Sequence, residues 1–168
     1  WHEVMPNETS FTVEQAPGLR FTSVPLKSEA PPYSPHRHNT VDGDNIGLLM
    51  EDLNTGGNLF YAPGLGVIDP TVFGYMDKAD AVLVDGTVWT NDEMSKEGIS
   101  NKLASEMGHL SQNDKGGIKE TLAKLQTTRK ILIHINNTNP ILDETSDERK
   151  QLNDAEIEVS YDGMDIHL

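Results

Sequence analysis

Cysteine is absent from this chain of 168 residues. That excludes a disulfide framework, a thiolate metal site and a cysteine nucleophile within it. No apolar run approaches the roughly 18 residues that a membrane helix needs, so no membrane insertion is expected. No apolar segment follows a basic start, so no secretory leader is visible, and the cytoplasm is the expected compartment. The chain opens on Trp1-His2-Glu3 without an initiator Met, which reads as an internal start. Basic residues are scarce: 13 Lys and Arg stand against 27 Asp and Glu, a formal net charge of −14. Such a surface repels phosphate backbones, which removes nucleic acid from the expected partners. There is no G-x-S-x-G, no Walker loop, no G-x-G-x-x-G and no H-E-x-x-H.

What remains is long enough for one domain with a core. Residues 10–14 alternate as a strand, Ala16-Pro17-Gly18 reads as a turn, and residues 19–26 read as its partner strand. Residues 28–43 form a long loop rich in Pro, Asp, Asn and His, a length that in compact domains often serves function. Residues 45–51 and 58–61 predict a hairpin around Asn54-Thr55-Gly56-Gly57. Asp69-Pro70 predicts a helix start, with the helix running to about Lys78. Ala81-Val82-Leu83-Val84 is a continuous apolar run, the pattern of a strand buried on both faces. A short helix is expected near residues 101–107, and a longer one over 117–126. Residues 130–135 predict a second buried strand. Thr145 and Glu148 form a capping-box pattern for a helix to about Asn153. Residues 157–161 and 164–167 read as two closing strands. Strands first and strand–helix alternation later imply an α/β fold, a mixed sheet with helices mainly on one face.

Chemistry gathers at four places. His134 ends a buried strand, where ligands of open α/β sheets sit. Alternation places Ile131, Ile133 and Ile135 on one face, with Leu132 and His134 on the other. His134 is either a metal ligand through one ring nitrogen or a core histidine bonded to a backbone carbonyl. Asp85 follows the apolar run, and a carboxylate there demands pairing, hydrogen bonds or a metal; the alternative is a cap on the next turn. Asp44 is a weaker case of the same kind. His109 follows Gly108, which permits close backbone approach or an unusual turn; it is either a site-edge ligand or proton donor, or a loop histidine. His36 and His38 flank Arg37. An H-x-H pair can aim two imidazoles one way, but Arg37 between them suits an anionic substrate better than a cation.

Taken together, YSPHR (33–37), GDNIGL (43–48), FYAPGLG (60–66), VDGT (84–87), MGHL (107–110) and above all HINNTNPIL (134–142) with Asp143-Glu144 resemble the protein B family of pyrroloquinoline quinone (PQQ) biosynthesis. The resemblance runs in order through nearly the whole chain. It implies the metallo-β-lactamase fold, an αββα sandwich, of which this chain would be the C-terminal half. The superfamily's H-x-H-x-D-H signature would lie in the other half. Half a sandwich leaves a sheet face open, so the missing half and a homodimer are both expected partners.

By the resemblance, His134 is the late histidine metal ligand, completing a site with an Asp and a His outside this chain. Related hydrolases carry a metal-bridging Asp in a Tyr-x-Gly-Asp-Thr setting. Here the similar place reads Tyr61-Ala62-Pro63-Gly64-Leu65, without a carboxylate, which argues against a two-metal hydrolase. One metal is expected, iron(II) ahead of zinc, because two histidines, one carboxylate and open positions suit dioxygen chemistry. The family's implied role is oxygen-dependent hydroxylation of the tyrosine ring in a Glu-Tyr-derived precursor. His109 and Asp85 would be its proton-transfer or supporting groups, and His36 and Arg37 would orient the acidic precursor. Two alternatives stand beside it: carriage of the quinone or its precursor to the periplasm, and metal-dependent hydrolysis. The chain alone is expected to be inactive.

Overall fold

A computed structural model gives the fold and describes residues 1–37 and 39–168. His38, the second histidine of the H-x-H pair, lies outside the described residues. Among the described residues seven strands form one sheet in sequence order: β1 (Ser10–Val13), β2 (Ala16–Pro25), β3 (Ile46–Asp52), β4 (Asn58–Ala62), β5 (Ala81–Asp85), β6 (Arg129–Ile133) and β7 (Ile157–Val159). The pairings from β1 to β4 are antiparallel, and those from β4 to β7 are parallel. Helices occupy the crossovers that parallel pairing requires: α1 (Pro70–Lys78), the short α2 (Glu93–Lys96) and α3 (Ala104–Met107), α4 (Ile118–Leu122) and α5 (Asp147–Asp154). The mixed α/β sheet read from the sequence is the architecture found.

One sheet face makes the core. Val24, Leu49, Phe60, Val82, Val84 and Leu132 project from it against Val72 and Met76 of α1, Leu122 of α4 and Leu152 of α5. On the other face the register aligns Leu48, Tyr61, Leu83 and Ile131 in one row. Leu48, Tyr61 and Leu83 there are only half-buried, as are Phe21, Met50 and Leu59. Among the described residues no helix is long and apolar enough to cross a membrane.

Local signals explain most elements. Asp69 caps α1, its side chain accepting the Val72 N–H at 3.0 Å, with Pro70 behind it. The β3–β4 turn is closed by Asp52, which accepts from the backbone N–H of Asn54 at 2.8 Å.

Four expectations shift. The β1–β2 turn falls at Glu14-Gln15, because Val13 pairs with Ala16 and β2 runs through Pro17 and Gly18. The cap of α5 is Ser146, which accepts the Arg149 N–H at 3.0 Å; Thr145 is taken instead by Asp143, to which its hydroxyl donates at 2.7 Å. α4 is shorter than the helix expected over 117–126. Residues 164–167 form no strand, since the chain turns at Tyr161–Met164 and makes no ladder with the outer edge of β7.

Leu132→Ala should destabilise the protein by about 3 kcal/mol through the cavity it leaves. Ser146→Ala should cost about 1 kcal/mol and Thr145→Ala less. Urea unfolding measures all three, and a larger loss at Thr145 than at Ser146 would return the cap to Thr145.

Candidate functional site

The site lies where the parallel strands end. β5 closes on Asp85, whose partner across the ladder is Ile133, the last residue of β6. His134 follows at once. Its φ of +55° is a left-handed conformation that non-glycine residues seldom adopt. This turn breaks the strand's alternation. Ile135 packs against the same core as Leu132 rather than sharing a face with Ile131 and Ile133, and the His134 ring swings toward Asp85. Side-chain alternation assumes extended backbone, so the expected partition failed at the one residue that is not extended. The turn is held by two backbone bonds, Gly86 N–H to the Ile133 carbonyl at 2.7 Å and Asn136 N–H to the Thr87 carbonyl at 3.0 Å. A Cβ at Gly86 would stand 3.0 Å from the Ile133 carbonyl oxygen, a contact tight enough that the strand end would have to give way to a side chain.

His109 arrives from the end of α3. Gly108 caps that helix at φ +90°, and a Cβ there would lie 2.6 Å from Ser28 Oγ. Both roles anticipated for this glycine, the unusual turn and the close approach, are therefore in use.

Asp85 is fully buried. Its Oδ2 accepts from Leu65 N–H at 3.0 Å and from His109 Nδ1 at 2.6 Å; its Oδ1 accepts from Thr87 N–H at 3.0 Å and Thr87 Oγ1 at 2.5 Å. These bonds use the lone pairs that a carboxylate offers. Burial pushes the Asp85 pKa up, but hydrogen bonds from His109 and Thr87, with the His134 imidazole nearby, outweigh it and hold the group below the ordinary carboxylate value. His134 Nδ1 is 3.7 Å from Asp85 Oδ1, too far for a direct hydrogen bond; Thr87 Oγ1 stands between, 2.8 Å from that nitrogen. Asp85 still makes the His134 ring more basic than usual, against the cost of burial. The two imidazoles stack, with centroids 5.3 Å apart and planes at 29°. Donor atoms of Asp85, His109 and His134 lie within 4.8 Å of one another, a spacing that can hold a metal ion.

The family model for the Beta-lactamase superfamily domain matches residues 1–135. The chain belongs to that family. It is 59% identical over 174 residues to coenzyme PQQ synthesis protein B of Nitrosococcus oceani, covering 100% of this chain and 56% of the relative. It is 56% identical over 168 residues to the protein of that name from Pseudomonas fluorescens, covering 100% of this chain and 55% of the relative. Its fold superposes on zinc-bound PqqB from Methylobacterium extorquens with a TM-score of 0.87 at 30% identity, over 96% of this chain and 54% of that one. The chain thus spans about half the length of these relatives. The resemblance to the protein B family read from HINNTNPIL and its companion segments is borne out.

Within this β-lactamase-superfamily frame the expected residues separate. Asp85, His109 and His134 come together. Arg37 joins them across a cavity of about 430 Å³, which it lines with Glu29, Asn45, Tyr61, His109 and His134. His36 does not join them: it is exposed and absent from the cavity wall. Asp44 caps its own turn, accepting Val41 N–H at 2.8 Å. The loop without a carboxylate, Tyr61 to Leu65, is met by one from the neighbouring strand, since Asp85 takes the Leu65 N–H.

Sequence reasoning missed the braces. Asn139 and Gln112, both buried, donate to the Gly86 carbonyl at 3.0 and 2.7 Å. Buried Glu93 accepts from Trp89 N–H at 2.6 Å and from the Thr138 hydroxyl at 2.5 Å, tying the loop after β5 to the loop after β6. The Asn139-Pro140 pair carried a helix-start signal that could have marked Asn139, which accepts the Ile141 N–H; nothing local marked Glu93.

Asp85→Asn turns an acceptor into a donor facing donors and should cost about 3 kcal/mol in urea unfolding. The pH signs oppose one another. The Asp85 contribution is complete above its unfolded pKa of about 3.9 and is lost as pH falls through its lower folded value. The His134 contribution is complete below about 6.5 and is lost as pH rises through its higher folded value. Metal-free protein should therefore lose stability between about pH 6 and about pH 8 relative to His134→Gln, compared by urea unfolding at the two pH values.

Proposed function

We propose that this chain carries the C-terminal half of a mononuclear metal site in PQQ biosynthesis, serving oxygen-dependent hydroxylation of the tyrosine ring of a Glu-Tyr-derived precursor. One observation carries the reading. His109 and His134 are both tied at Nδ1 by Asp85 and Thr87, and neither Nε2 has a hydrogen-bond partner among the described residues. That is how proteins prepare histidines for a metal: one nitrogen fixed by an acceptor, the other bare. The donor chemistry fits a divalent ion of the zinc or iron(II) kind, and the zinc bound by the Methylobacterium extorquens relative supports this class.

His134 would hold the ion through Nε2, with an Asp and a His from outside this chain. When bound, iron(II) would supply the dioxygen chemistry. His109, backed at Nδ1 by the Asp85 carboxylate, would take or give a proton at Nε2, on the logic of an acid-oriented histidine base. Arg37 lines the same cavity, and its guanidinium suits the carboxylates of an acidic precursor. Its Nη1 donates at 2.5 Å to the Ala30 carbonyl, which steadies the head group. The half-buried apolar sheet face would receive the rest of the sandwich.

Hydrolysis by two metals is the poorer fit, because the nearest carboxylate, Asp85, spends its lone pairs on protein donors. Carriage of the precursor uses the same cavity and Arg37 without the chemistry.

The deciding experiment takes the full-length gene product, loads it with iron(II), and supplies the Glu-Tyr-type precursor and oxygen. Oxygen uptake with one added oxygen atom in the product mass supports hydroxylation. Tight precursor binding without uptake replaces it with carriage. His134→Ala should weaken metal binding by more than about 100-fold, and unchanged metal occupancy in that variant would remove His134 from the ligand set.

A further inference from the structure

The hydroxyl of Thr87, the last residue of the VDGT segment, sits at the centre of the cluster. Thr87 Oγ1 lies 2.5 Å from Asp85 Oδ1, 2.8 Å from His134 Nδ1, 3.1 Å from His109 Nδ1 and 3.1 Å from the His134 carbonyl oxygen. Four neighbours compete for one proton and two lone pairs.

The proton count resolves the competition. Asp85 Oδ1 is the shortest contact and an anionic acceptor, so it takes the hydroxyl proton. His109 Nδ1 has its own acceptor, Asp85 Oδ2 at 2.6 Å, and must carry hydrogen to use it. Among the described residues, His134 Nδ1 has only the Thr87 oxygen within bonding range, since Asp85 is 3.7 Å away. A hydroxyl whose proton is already committed can only accept. The ring hydrogen of His134 must then sit on Nδ1, which leaves Nε2 bare. A free histidine side chain in water favours the opposite tautomer.

We propose that Thr87 is a positioning residue that fixes His134 in the Nδ1–H form and so keeps its Nε2 lone pair open for a metal ion. The purpose rests on the metal reading above; the tautomer does not. Thr87 is built to hold one orientation. It is buried, its N–H is bound to Asp85 Oδ1 at 3.0 Å, and its carbonyl receives Asn136 N–H at 3.0 Å and Asn139 Nδ2 at 3.3 Å. Its β-branched side chain has few rotamers to escape into. A valine there would keep the shape and delete both the donor and the acceptor.

The test uses the full-length gene product without metal, labelled with ¹⁵N-histidine, at a pH where the imidazoles are neutral. Two-bond proton–nitrogen correlation reads the tautomer, and the His134 signal is assigned by its loss in His134→Gln. Wild type and Thr87→Ser should both show Nδ1–H, whereas Thr87→Val should shift toward Nε2–H. Zinc affinity, measured by competition with a chromophoric chelator, should fall about 10–100-fold in Thr87→Val and stay within about threefold of wild type in Thr87→Ser. An Nε2–H signal in wild type overturns the proposal, and that result needs no variant to fold. So does an unchanged tautomer in Thr87→Val, or a Thr87→Ser as impaired as Thr87→Val, which would make the methyl group and not the hydroxyl responsible. Wild type that shows Nδ1–H but binds no zinc would refute the metal reading while leaving the Thr87 assignment in place.

Discussion

A carboxylate cut off from solvent must meet hydrogen-bond donors on every side, and Asp85 meets them from three separate pieces of chain. Leu65 comes from the loop after β4, Thr87 from the loop after β5 and His109 from the end of α3. The carboxylate thus gathers loops that share no strand pairing at that point. Its burial also makes each bond strong, because little water competes for it. The geometry of both histidines follows from this one group, His109 directly and His134 by way of Thr87.

Around it stands a second layer that faces the backbone. Asn139 and Gln112 converge on the Gly86 carbonyl, and Glu93 links Trp89 to Thr138. These side chains satisfy backbone groups stranded where the strands end. They brace the same loops as the Gly86 and Asn136 backbone bonds that hold the left-handed turn at His134, a conformation that persists only where the surroundings impose it. A site on rigid strand ends, braced in this way, can present two imidazoles with little freedom left to them. The wider surface plays a different part. Its acidity keeps anionic polymers away, whereas the cavity beside the two histidines is lined by one residue of each sign, Arg37 and Glu29.

Much of this was legible in the chain itself. Apolar runs located β5 and β6, and Asp69-Pro70 located the start of α1, because burial on both faces and helix capping are local properties written in consecutive residues. The segment from His134 to Leu142 was distinctive enough to fix the family. A carboxylate directly after a buried strand was conspicuous because burying one without partners is costly.

The partners themselves were not legible. His109 meets Asp85 across 24 positions, and Glu93 meets Thr138 across 45. No periodicity connects residues so far apart; only the stacking of loops at one sheet edge does. The same edge admitted Arg37 to the cavity and left His36 in solvent, although the two are adjacent. The sequence by itself determined that a histidine and an aspartate stand at the ends of neighbouring buried strands. The tertiary structure decided which nitrogen each histidine offers, because that depends on a single turn of positive φ and on where one threonine sends its proton.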